Sequence, residues 1–96
     1  MTPDDCMDAS ALAVAGADTA AGVRRGLRQA STPGAAEREQ EIALALDGID
    51  RVMRPIRSMR GKLVWEPMPS KAERALAEAS ARCQYERKQL KKMRRG

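Results

Sequence analysis

EIALALDGIDRVMRPIRSMR, residues 41–60, carries the strongest periodic signal in the chain. Ile42, Leu46, Ile49, Met53 and Ile56 follow one another at spacings of 4, 3, 4 and 3, which lines them along one face of an α-helix. Arg60 takes the next place and Leu63 resumes the pattern. Ser31, Thr32 and Pro33 read as a helix start, followed by Glu37, Glu39 and Glu41 in the opening turns. Pro55 interrupts the run, because it removes the amide that would bond the carbonyl of residue 51 and disfavours helical geometry at Arg54. The expectation is a kink there, or a stop near residue 54 with a restart.

Downstream, residues 61–70 read GKLVWEPMPS, and two prolines with a glycine make a connector. Ser70 and Glu73 match the capping box, in which each side chain satisfies the other's backbone amide. A last helix is expected over 71–94, with a seam of Ala72, Leu76, Ala79, Cys83, Leu90 and Met93 and with Glu86 as a polar interruption. Two helices joined by so short a connector fold back as an antiparallel hairpin, and Ala72, Ala75 and Ala79 let them approach closely.

Upstream, Thr2, Pro3, Asp4 and Asp5 read as an N-cap, a proline at the first helical position and carboxylates against the positive end of the helix dipole. A short helix over 3–15 follows. Gly16, Gly22, Gly26 and Gly34 then punctuate a stretch without a sustained period, which predicts a loop or frayed helix over 16–33. The reading is therefore an all-α chain: a weakly ordered Ala/Gly-rich segment over 1–33, then a helical hairpin over 34–96. The large apolar seam residues are too few to support a free-standing hairpin, so homodimerisation or folding on a partner is expected. The partner or dimer surface is assigned to Ile42, Leu46, Ile49, Met53, Ile56, Leu76 and Leu90, with Trp65.

A chain of 96 residues supports one domain, and this one has no Phe, no His and only Trp65 and Tyr85 as aromatics. Without histidine, and with a core too thin to enclose a pocket, catalytic residues and a small-molecule substrate are not expected. No glycine-rich phosphate loop is present. Cys6 and Cys83 stand 77 residues apart, with no Cys-x-x-Cys pair, so neither metal nor cofactor is expected. The acidic opening at Asp4 and Asp5 does not read as a signal peptide, and no run of 18 apolar residues offers a membrane span; a cytoplasmic protein with reduced thiols is the expectation.

Charge is the informative quantity. The formal net charge of +5 divides into −5 over residues 1–50 and +10 over residues 51–96. Such asymmetry points to a polyanionic partner, or to an acidic half that neutralises the basic half internally. One cation cluster is Arg51, Arg54, Arg57, Arg60 and Lys62, whose spacing wraps around the apolar seam. The second is Arg87, Lys88, Lys91, Lys92, Arg94 and Arg95, six cations in the last ten residues with no acid among them. The helix dipole favours a few cations at a C-terminus in any protein, but six repel one another unless a polyanion is at hand. If all six met phosphates of a duplex, affinity would fall with a log–log salt slope of about −5.

With no Asn, and with no recognition-helix turn, contact with nucleic acid is expected to be sequence-tolerant. The leading functional reading is a small nucleic-acid-associated protein, a regulator or accessory factor. The alternative is a protein-interaction module of the antitoxin, adaptor or polymerase-accessory kind, docking through the seam or Trp65. A hairpin with Trp65 in its connector superficially resembles the small secreted proteins of the WXG family. Glu66 and Pro67 follow that tryptophan where the motif has glycine two places on, and no family is assigned.

Overall fold

A computed structural model describes residues 3–29, 34–62 and 70–95, and every one of them except Gly34 is helical. The helices are α1 (Pro3–Gln29), α2 (Ala35–Lys62) and α3 (Ser70–Arg95). The expected turn at Ser31–Pro33, Leu63 and the connector tryptophan Trp65 lie outside the described residues. So do the side chains of Arg60, Lys62, Ser70 and Arg95, although their backbones are helical.

The fold differs from a two-helix hairpin because α1 packs along both other helices. Cys83 Sγ donates to the carbonyl of Ala13 at 3.3 Å, and Arg24 pairs with Glu86, so α1 and α3 run parallel. Gly16 meets Val52 across α1 and α2, while Arg38 reaches the carbonyl of Met93 at 3.3 Å and Arg87 faces Asp50; α2 is antiparallel to both neighbours. The result is an up-down-up bundle of 50 × 18 × 15 Å.

The expectation of a short helix over 3–15 with a loop or frayed helix over 16–33 is corrected over residues 16–29, since α1 continues to Gln29. Its inward positions are Cys6, Ser10, Ala13, Ala17, Ala20, Arg24 and Leu27, all buried except the partly covered Arg24. They step by 4, 3, 4, 3, 4 and 3, as the seams of the other two helices do. Almost all are small, so α1 approaches its neighbours closely and gains its stability from contact rather than from bulky knobs. Gly16 is part of this fit: a Cβ there would lie 2.9 Å from Val52 Cγ2. Helix propensity alone would replace that glycine, and close approach keeps it.

In α2, Gly34 precedes the first turn and its carbonyl accepts from the Arg38 amide at 3.0 Å, an N-cap position that glycine fills well. The helix runs through Pro55 without stopping. A mid-helix proline costs one backbone bond, and here Met53 and Ile56 on either side are buried in the core and hold the helix together. The seam residues Ile42, Leu46, Ile49, Met53 and Ile56 meet Ala72, Leu76, Ala79, Cys83 and Leu90 in one core cluster, which α1 completes. That cluster buries inside a single chain all the residues assigned from the sequence to a partner or dimer surface except Trp65, which lies outside the described residues, so covering the seam requires no second copy.

A candidate polyanion-binding face

The bundle separates the C-terminal cation run into two rows. Arg87, Lys91 and Arg94 share the edge of α3 that faces α2, where they line a groove with Asp47 and Asp50. Arg94 Nε pairs with Glu39, and Arg87 Nη1 lies 3.7 Å from Asp50 Oδ1, a buried oxygen with no hydrogen-bond partner. These are interhelical pairs of the kind that set orientation in coiled coils. Tyr85, Lys88 and Lys92 are exposed on the opposite side of α3 and carry no ion pair among the described residues. Arg95 belongs to the helix, with its side chain outside the description.

The cluster around Arg51 does not join them. Arg51 pairs with Asp47 at 3.1 Å on its own helix, Arg54 and Arg57 are exposed without an ion pair, and the side chains of Arg60 and Lys62 are outside the description. Because α2 and α3 are antiparallel, the centre of this cluster lies roughly 20 Å along the bundle from Lys91, at 1.5 Å per residue. The two cation clusters therefore form no single patch. Internal neutralisation, weighed above against a polyanionic partner, accounts for Arg51, Arg87 and Arg94.

What lies beside Lys88 and Lys92 is α1. A groove between α1 and α3 is lined by Val14, Asp18, Glu78 and Arg82 among others, and Asp18 and Arg82 pair across it. Seven-residue steps keep to one line on a packed helix. Arg25 follows Asp18 by seven, Arg28 follows Val14 by fourteen, and Tyr85 and Lys92 follow Glu78 by seven and fourteen. The groove thus continues toward the C-terminal ends of α1 and α3 as a face carrying Arg25, Arg28, Tyr85 and Lys92, with Lys88 on its outer margin. Arg25 and Arg28 are exposed and unpaired among the described residues.

No exposed carboxylate interrupts this face. Residues 19–36 contain no acid, and Glu86 is the only acid between Ala79 and Arg95. Glu86 is buried and already engaged: Arg24 Nε and Nη2 donate to its two carboxylate oxygens at 3.0 and 3.1 Å, with the two side chains 14% and 7% exposed. This hydrogen bonding raises the Arg24 pKa above its ordinary value, against desolvation, with the charges of Glu86 and Tyr85 adding to the rise. The pair is a polar layer in the core. It ties α1 to α3 beside the cationic face by two charge-assisted hydrogen bonds.

Arg25 and Arg28 were not among the residues picked out from sequence, because they fall in the stretch read as a loop. Their signal is the long acid-free interval on both helices. Tyr85, 56% exposed, is the one aromatic side chain among the described residues. Cys6 and Cys83 are buried free thiols, and burial pushes the Cys83 thiol up, opposed by Arg82. Among the described residues no group of His, Cys, Asp or Glu is placed to hold a metal ion, and no helix is long and apolar enough to cross a membrane. Comparison of the chain with models of known protein families, with curated proteins and with solved structures found no match.

Proposed function

We propose that the chain is a non-enzymatic, nucleic-acid-associated protein that grips phosphates in a sequence-tolerant way through the joint face of α1 and α3. The observation that carries this reading is the position of Arg25, Arg28, Lys88 and Lys92: exposed, unpaired and without a carboxylate among them, while the cations on the other edge of α3 face acids of α2. Unpaired cations held on two packed helices need little reorganisation to meet a row of phosphates, and displaced counterions supply the driving force. Four phosphate contacts predict a log–log salt slope of about −3.6 on duplex and about −2.8 on a single strand, shallower than six would give. Fluorescence anisotropy of a labelled oligonucleotide across a salt series measures it. Absence of binding at low salt would remove the reading.

A protein-interaction role is favoured by a different observation. Leu12, 65% exposed, stands in a groove between α1 and α2 with Val52 and Met59 on its wall. Docking there is independent of Lys88 and Lys92, and charge reversal at those two lysines separates the readings.

A further inference from the structure

The cationic face holds one residue that phosphate binding does not use. Tyr85 stands on it, 56% exposed, the one exposed large hydrophobic side chain among the described residues of α3. Lys88 lies about 4.5 Å and Lys92 about 10.5 Å further along the axis, at 1.5 Å per residue. With Asp18 level with Arg82, Arg25 and Arg28 lie on the α1 side of the same face, further toward its C-terminal end. More than half of the ring is open to solvent, and it presents a π-face that any nucleobase can stack on.

The breadth of the face selects the form of nucleic acid. Its cations come from two helices packed side by side, whereas the major groove of a duplex, about 12 Å wide, admits one helix. In a duplex the base faces are also stacked away from any side chain. A single strand has neither constraint: its backbone lies over the lysines and arginines, and an unpaired base turns onto the ring.

We infer that the ligand of this face is single-stranded nucleic acid, with a base stacked on Tyr85 and the adjoining phosphates held by Lys88, Lys92 and Arg28. The inference rests on the phosphate-binding reading and adds the strand form and the stacking residue. Its test is anisotropy of the full chain with a labelled single-stranded oligonucleotide of mixed sequence, the matching duplex, and heparin as a polyanion without bases. The wild-type chain binds the single strand more tightly than the duplex. Tyr85→Ala weakens the single strand about tenfold and leaves heparin unchanged, and Tyr85→Phe retains wild-type binding. The residue is exposed, so neither variant disturbs folding. If Tyr85→Ala leaves single-strand affinity intact while Lys88→Glu with Lys92→Glu removes it, the stacking inference is overturned and the phosphate reading stands. If neither nucleic acid nor heparin binds the wild-type chain at low salt, both fall.

Discussion

Arg87, Lys91 and Arg94 run along the edge of α3 that faces α2, whereas Tyr85, Lys88 and Lys92 run along the side that turns toward α1 and solvent. In sequence the two rows are one basic run. In the bundle the first row meets Glu39, Asp47 and Asp50, and the second carries no ion pair among the described residues. The contrast shows that a charge run on a packed helix has no function of its own. The neighbouring helix decides which cations meet carboxylates and which stay unpaired.

Arg24 with Glu86 is the buried ionic tie between α1 and α3, so the largest effect is expected at that pair. Glu86→Leu leaves a partly buried guanidinium without its carboxylate and should destabilise the chain by about 2–3 kcal/mol, less than a fully buried charge because the long side chain can still reach water. Combining it with Arg24→Leu should recover most of the loss, since an apolar pair of similar size suits a core layer. Urea denaturation followed by circular dichroism reads both. A double variant no more stable than Glu86→Leu would show that the pair does not act as a unit.

A smaller effect of opposite sign sharpens the α1 side of the contrast. Gly22 lies on α1 one turn before Arg25, and a Cβ there meets nothing within 4 Å. Gly22→Ala should stabilise the chain by about 0.5–1 kcal/mol, by raising helix propensity without a clash. Gly16→Ala, against Val52, should destabilise it. Equal effects at the two glycines in the same denaturation measurement would mean that the close approach of α1 to α2 is not tight.

Much of α2 and α3 is legible in the sequence because large apolar residues mark their seams: Ile42 to Ile56 and Leu76 to Leu90 are where the spacing puts them. The third helix was harder to read for a physical reason. Its seam has the same 4-3 rhythm, but it is written in Cys, Ser and Ala, which contrast little with the alanines on the outer face. Its glycines suggested a break, yet packing overrides a propensity cost of about 1 kcal/mol per glycine. Glu86 read as an interruption of one seam. Arg24 holds the corresponding place in the other, and two polar residues at inward positions of different helices were each other's partners. At Pro55 the helix does not stop, because buried residues on either side hold it in the core, which local propensity takes no account of. For the candidate site, sequence marks the C-terminal cations as one group, and only the helix packing divides them into two rows and adds Arg25 and Arg28.

The most direct test of the central claim compares two variants with the same change in charge. Lys88→Glu with Lys92→Glu reverses two cations on the α1 side of α3, and Arg87→Glu with Arg94→Glu reverses two on the α2 edge. Single-strand affinity is measured for both at one salt concentration, with helicity checked by circular dichroism. The account predicts a loss of at least tenfold, about 1.4 kcal/mol, for the first variant and a much smaller change for the second. Equal losses in the two would mean that net charge alone governs binding, and would contradict a dedicated face on α1 and α3.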